Sequence, residues 1–145
     1  MGTSRGDRQQ AIVRLVRSRQ IRTQAELVCA LQGEGFDVTQ ATVSRDIADL
    51  DLRKDKSGVY LLAEDERFRA LVASAVRETR RAENLLVVIT GPGAAQSVAA
   101  SIDAAAPEGV LGSIAGDDTI LVIGADEASC IRFQQHVDAL LAARN

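Results

Sequence analysis

Two threonines limit what the first third of this chain can become. Thr23 opens the tetrapeptide Thr23-Gln24-Ala25-Glu26, which has the spacing of a helix N-cap with an acidic residue three places on. Leu27, Val28 and Leu31 fall on one face of the helix this predicts, and Gly33 and Gly35 end it. Thr39 caps a further helix that runs to about Leu50, with Val43, Ile47 and Leu50 inward. An earlier helix covers residues 8–19, with Ile12, Leu15 and Val16 on one face. Leu52 to Leu62 then reads as two short strands around a Lys56-Ser57-Gly58 turn. Three helices and a hairpin in this order describe a winged helix-turn-helix, expected over residues 1–63.

The pattern changes after residue 63. Phe68, Leu71, Val72, Ala75 and Val76 mark an amphipathic helix from Glu64 to about Arg80, so residues 64–81 are expected to link two domains. Leu85-Leu86-Val87-Val88-Ile89 is a continuous apolar run, expected as a buried strand. Gly91-Pro92-Gly93 turns the chain into a helix to about Ala105, with Ala95, Val98, Ala99 and Ile102 inward. Residues 110–115 and 120–123 read as strands joined through Gly116-Asp117-Asp118, and residues 126–143 as a last helix. The expected class is α+β. Residues 82–145 form an α/β sandwich-type domain, with helices on one face of an antiparallel sheet. Halves of this size, about 65–80 residues each, bury a modest fraction of their surface and are marginal alone, and the second is apolar and rich in alanine. It is therefore expected to assemble with copies of itself.

With aromatics at 3% and no Trp, the cores must be built from Leu, Ile, Val and Ala. One histidine, His136, and two cysteines, Cys29 and Cys130, are too few for a structural zinc site. Both thiols fall inside amphipathic helical patterns and are expected to be buried and free. Residues 1–10 are polar and charged, without the apolar core of a signal peptide, and no stretch is long enough to span a membrane. The expected location is the cytoplasm.

The net charge of -3 argues against a nucleic-acid partner, but the charge is unevenly placed. Residues 1–25 hold Arg5, Arg8, Arg14, Arg17, Arg19 and Arg22 against Asp7 alone, whereas residues 71–145 hold five arginines against nine acidic residues. Affinity for DNA follows the local field at the contact face. On the third helix, Ala41, Arg45 and Ala48 lie opposite Val43, Ile47 and Leu50, flanked by Thr42 and Ser44. Small alanines let a helix seat in a major groove, Arg45 can reach a guanine edge, and Thr39, Gln40, Thr42 and Ser44 supply short polar groups near the helix N-terminus. Asp46 and Asp49 count against close approach at the other end. On this geometry alone, a DNA-reading face and a merely solvated one remain equally open.

In the second half, Asp117 and Asp118 form a carboxylate pair at a tight turn, able to hold a guanidinium or an ammonium group. Gln96 and Asp103 share a helix face opposite the apolar stripe, so they are expected to point towards a partner subunit or a ligand. Each feature alone is also what an ordinary turn or a solvated helix face shows. Paired carboxylates can bind a divalent metal in an enzyme, but no nucleophile motif accompanies these.

Several segments together resemble the bacterial arginine repressor family. Ile21-Arg22-Thr23-Gln24-Ala25-Glu26-Leu27, Thr39-Gln40-Ala41-Thr42-Val43-Ser44-Arg45-Asp46-Ile47, Leu50-Asp51-Leu52-Arg53-Lys54 and Gly58-Val59-Tyr60 carry the likeness in the first half. Pro92-Gly93-Ala94-Ala95-Gln96, Ile102-Asp103 and Gly112-Ser113-Ile114-Ala115-Gly116-Asp117-Asp118-Thr119-Ile120 carry it in the second. The likeness runs from about Arg8 to Leu141. It implies that Ser44 and Arg45 are the main contacts to double-stranded operator DNA, with Gln24, Thr39, Gln40 and Thr42 beside them. It implies L-arginine as co-repressor, bound between the two trimers of a homohexamer by Gln96, Asp103, Asp117 and Asp118, with Ala115 and Gly116 lending backbone. It implies no metal, no catalysis and no membrane. The expected function is L-arginine-dependent repression of genes for arginine biosynthesis or catabolism. The alternative is an architectural DNA-binding accessory in site-specific recombination, a role some members of the similar family also play. The chain departs from the family at Ser113, where Thr is usual, at Asp55, where an apolar residue is expected and the wing strand should weaken, and over residues 1–7, expected to be a flexible arm.

Overall fold

The computed structural model describes residues 4–144 as two compact units, divided after Glu66. In the first unit, α1 (Arg5–Ser18) begins three residues earlier than the apolar pattern indicates. Ser4 is its N-cap: the hydroxyl accepts from the Asp7 amide at 3.1 Å, and the Asp7 carboxylate accepts from the Ser4 amide at 3.0 Å. Residues 4–7 of the expected arm are therefore capped helix, and residues 1–3 lie outside the described residues.

Thr23 and Thr39 cap α2 (Gln24–Gly33) and α3 (Gln40–Asp49) as expected, their hydroxyls accepting from the Glu26 and Thr42 amides. Glu26 does not close a box on Thr23; its carboxylate accepts from the Arg22 amide at 2.8 Å, one residue earlier. Gly35, at φ +91°, turns the chain between the two helices, a left-handed conformation that favours glycine. Ile12, Leu15, Leu27, Leu31 and Val43 are buried almost completely where the helices meet, each worth about 1.5–3 kcal/mol relative to exposure. Ile47, Leu50 and Val28, expected inward, are only half-buried. Cys29 is exposed, which corrects the expectation for that thiol.

The hairpin β1 (Leu52–Lys54) and β2 (Tyr60–Leu62) pairs Leu52 with Leu62 and Lys54 with Tyr60. The Tyr60 amide donates to the Ile21 carbonyl at 2.8 Å, which ties the hairpin to the segment before α2. Asp55 does not weaken this wing. Its carboxylate accepts from the Ser57 amide at 2.8 Å, the Ser57 hydroxyl at 2.6 Å and the Val59 amide at 3.1 Å, and so builds the tip. Gly58, at φ +82°, completes the turn.

The helix α4 (Ala63–Ala75) stops short of Arg80. Residues expected to complete it form β3 (Val76–Ala82), which pairs with β4 (Leu85–Thr90). The helix α5 (Ala95–Ala105), β5 (Val110–Ala115), β6 (Thr119–Gly124) and α6 (Glu127–Ala143) follow close to their expected positions. The sheet is antiparallel throughout, in the order β3-β4-β6-β5.

The apolar run in β4 alternates rather than being buried throughout. Leu86 and Val88, with Ile120 and Val122 of β6, face Phe68 and Val72 of α4, Val98 and Ile102 of α5, and Phe133 and Val137 of α6. Cys130 is buried in this core, as expected, and burial pushes its thiol pKa up. On the opposite face, cross-strand pairing aligns Val87 with Leu121, Ile114 with Leu121 and Leu85 with Ile123. None of these is buried: Ile114 is 67% exposed and Leu85 37%, and Leu111 beside them, at an irregularity in β5, is 71% exposed. The second unit is thus a sheet with helices over one face and an apolar surface on the other. Among the described residues, no helix is long and apolar enough to cross a membrane.

Candidate functional site

In the first unit α3 presents a polar face. Thr39, Gln40, Ser44 and Arg45 are exposed, as are Ala41 and Ala48, while Thr42 and Gln24 are half-buried. Thr39 and Thr42 hydroxyls lie 3.2 Å apart, so both are engaged at the helix start. Among the described residues Arg45 has no hydrogen-bond or ion-pair partner. An exposed, unengaged guanidinium flanked by a serine and small alanines can enter a groove and donate two parallel hydrogen bonds.

The two aspartates counted against such a face turn away from it. Asp46 is 1% exposed and accepts from Arg8 Nε at 2.5 Å, Arg8 Nη2 at 3.0 Å and Gln9 Nε2 at 3.2 Å. Asp49 accepts from Arg5 Nη2 at 2.6 Å. Burial pushes the Asp46 carboxyl pKa up, but the hydrogen bonds from Arg8 and Gln9 and the charges of Arg8 and Arg5 outweigh it and hold the group below its ordinary value. The arginine-rich start of the chain is accordingly engaged within the unit. Arg14 pairs with Glu34 at 2.6 Å, Arg17 with Asp65 at 3.0 Å, and Arg22 donates to the Ser57 carbonyl at the wing tip. The matched spacing of Arg5 and Arg8 with Asp46 and Asp49, three residues apart on each helix, was the signal in the sequence for this pairing.

In the second unit the expected ligand residues gather where α5 meets the end of β5 and the β5–β6 turn. Gln96 Nε2 donates to the Ala115 carbonyl at 2.9 Å, and the Ser113 hydroxyl donates to Asp103 Oδ1 at 3.2 Å. Gln96 and Asp103 are exposed, yet both reach the edge strand rather than pointing wholly outward. Ser113 is thus a member of the cluster that the reading of side-chain chemistry passed over, and its hydroxyl serves there as a threonine's would.

The turn is fixed through its backbone. Thr90 donates to the Asp118 carbonyl at 2.7 Å, Ala95 to the Asp117 carbonyl at 3.1 Å, and Gly116 to the Thr119 carbonyl at 2.9 Å. Of the backbone that Ala115 and Gly116 are expected to lend a ligand, the Ala115 carbonyl and the Gly116 amide already hold partners within the unit. The two carboxylates remain at the surface: Asp118 accepts from the Thr119 hydroxyl at 3.0 Å, and among the described residues the Asp117 carboxylate has no hydrogen-bond or ion-pair partner. A rigid turn carrying two exposed carboxylates, beside a glutamine and a third carboxylate, can bind a cation through several charge-assisted hydrogen bonds. Among the described residues, no group of three or more His, Cys, Asp or Glu side chains is placed to hold a metal ion.

Two family models match this chain. Residues 3–68 match "Arginine repressor, DNA binding domain", and residues 72–139 match "Arginine repressor, C-terminal domain". A protein named Arginine repressor from Carboxydothermus hydrogenoformans is 47% identical, with the similarity covering 92% of this chain and 97% of that protein. Proteins of the same name from Solibacter usitatus and Anaeromyxobacter sp. are 43% and 41% identical, over 92% and 96% of this chain and 94% and 90% of theirs. The two matched ranges lie one in each unit, and the similarity to these relatives covers most of the chain. The chain belongs to the arginine repressor family, whose members are transcriptional regulators and not enzymes.

Proposed function

We propose that this protein is a cytoplasmic, L-arginine-dependent repressor that binds double-stranded operator DNA through α3 as a homohexamer and controls genes of arginine biosynthesis or catabolism. The observation that carries the DNA reading is the face of α3, where Gln40, Ser44 and Arg45 are exposed while Asp46 and Asp49 are drawn back onto α1. Gln24 and Thr42, half-buried, and Thr39 lie at helix starts, where free amides favour phosphate.

The ligand reading rests on the exposed carboxylates. Asp117, Asp118 and Asp103 form an exposed acidic surface on the second unit with, among the described residues, no cationic partner. A second copy brought against it repels, and a guanidinium between the two relieves that repulsion with charge-assisted hydrogen bonds. Arginine then favours the assembly by its differential affinity for it, and coupling to DNA follows if only that assembly holds the first units in register with both half-sites. The open apolar face of the sheet supports association of copies through a separate surface. L-arginine itself, the hexamer and the regulated genes come from the family resemblance.

The test is binding to a labelled AT-rich palindromic duplex at one salt concentration, with no ligand, L-arginine, L-lysine or L-citrulline. Tightening by L-arginine alone is expected, and Asp118→Asn is expected to abolish that response while leaving the fold intact. Equal binding in all four conditions, or an unchanged arginine response in Asp118→Asn, overturns the ligand reading. Absence of sequence-dependent binding to duplexes selected from a random pool overturns the DNA reading.

A further inference from the structure

The recognition surface of α3 is held by a contact on another side of the same helix. Asp46 directly follows Arg45, so the two side chains leave the axis about 100° apart. Arg8 grips the Asp46 carboxylate through both Nε and Nη2, and Gln9 adds a third hydrogen bond. Such a two-pronged pair fixes direction as well as distance. About one turn earlier, at the first residue of α1, Arg5 meets Asp49 at the end of α3, so a row of two arginines on α1 faces a row of two aspartates on α3.

Apolar packing on this side of α3 does not define its rotation as well. Val43 is fully buried, but Ile47 and Leu50 are only half-buried. Apolar contact is non-directional and tolerates a helix that rolls. A buried ion pair adds little net stability over apolar residues of the same shape, because desolvation offsets its attraction; in some proteins such pairs serve to specify one arrangement. Asp46 is the one charged side chain, among the described residues, that is almost wholly buried.

We propose that the Arg8–Asp46 pair, supported by Gln9 and by Arg5–Asp49, fixes the roll of α3 about its axis and thereby aims Ser44 and Arg45 at base edges. Arg8 and Asp46 are then positioning residues that set sequence discrimination without touching DNA bases. This rests on the reading of α3 as the recognition helix.

The experiment measures discrimination, defined as the affinity for a duplex selected by the wild-type protein from a random pool divided by that for a scrambled duplex of equal composition. Full-length wild type, Asp46→Asn, Arg45→Ala and the double variant are compared at one salt concentration with saturating L-arginine. Asp46→Asn is expected to lower discrimination about tenfold, the effect of one mismatched base pair, while affinity for the scrambled duplex stays within about threefold. Arg45→Ala is expected to cost much less in the Asp46→Asn background than in the wild type, because a side chain no longer aimed has little left to lose.

Losses that simply add overturn the positioning role while the DNA reading stands. A wild type that does not discriminate, or that is indifferent to Arg45→Ala, overturns the DNA reading and this inference with it. Arg8→Lys keeps the charge, loses the two-pronged grip and replaces a side chain that reaches the surface, so it carries the same cycle should Asp46→Asn fail to fold. Wild-type discrimination in Arg8→Lys overturns the inference.

Discussion

Replacing Ile114 by aspartate tests whether the open face of the sheet is an interface between copies. Ile114 sits on β5 opposite Leu121 and is 67% exposed in the single subunit, with Leu111 nearby at 71%. Fully burying such a side chain is worth about 1.5–3 kcal/mol, and each has about two-thirds of that still to gain. Covering both thus returns about 2–4 kcal/mol per subunit, of which Ile114 supplies about half. Ile114→Asp removes that share and places a carboxylate where it must lose water, an added cost of several kcal/mol once relaxation is allowed. A total of about 3 kcal/mol or more corresponds to a loss of over a hundredfold in association constant. Because the side chain is exposed in the subunit, the fold itself should survive, with an unchanged circular dichroism spectrum. Sedimentation velocity across a concentration series reads the outcome: a large assembly for the wild type, and smaller species persisting to about hundredfold higher concentration for the variant. Identical assembly of the two proteins at every concentration, or a monomeric wild type, would refute the reasoning.

Two further perturbations probe the fold. Gly109 stands at φ +79° just before β5, and a Cβ there would lie 2.5 Å from the Ser129 Cβ on α6. Gly109→Ala is expected to cost about 2–5 kcal/mol in urea unfolding, from about 1–2 for the left-handed backbone and about 1–3 for overpacking; adding Ser129→Gly should relieve only the second part. The Asp46 carboxyl has a lowered pKa in the folded state, so its contribution to stability is complete above the ordinary carboxylate value of 3.8 and is lost as pH falls through the lower folded value. Unfolding of Asp46→Asn should accordingly show a shallower loss of stability below that pH than the wild type, and parallel acid limbs would contradict the assignment.

Much of the fold is legible because its signals are local. Thr23 and Thr39 mark helix starts through a hydroxyl's reach to an amide three residues on, and α5 follows from its apolar spacing between the turn at Gly91-Pro92-Gly93 and the breakers Pro107 and Gly109. The candidate ligand cluster is legible in part for the same reason, since Gln96 and Asp103 share one helix face and Asp117 and Asp118 one turn. What escapes is decided by partners distant in sequence. Residues 76–82 carry Arg77, Glu78, Arg80 and Arg81, which suit a helix as well as a strand, and only pairing with β4 makes them an edge strand. Asp46 reads as a charge on the recognition face until α1 supplies Arg8 and Gln9 to bury it. Asp55 looks like a misplaced residue in a strand until the turn folds its own amides onto the carboxylate. Cys29 lies among apolar residues in the sequence, yet the side of α2 that carries it is exposed.

The engagement of the amino-terminal arginines has a consequence for how this protein behaves among long stretches of unrelated DNA. Sequence-independent attraction to the duplex comes from cations that displace its condensed counterions, so it grows with the number of side chains free to do so. Arg5, Arg8, Arg14 and Arg17 already have carboxylate partners. Compared with a chain in which the same arginines are unpaired, a protein made this way is expected to be held less tightly by the vast excess of wrong sites, so that fewer of its copies are sequestered there. Occupancy of the right site then depends less on how many molecules are made than on how well one exposed helix face fits the bases it meets.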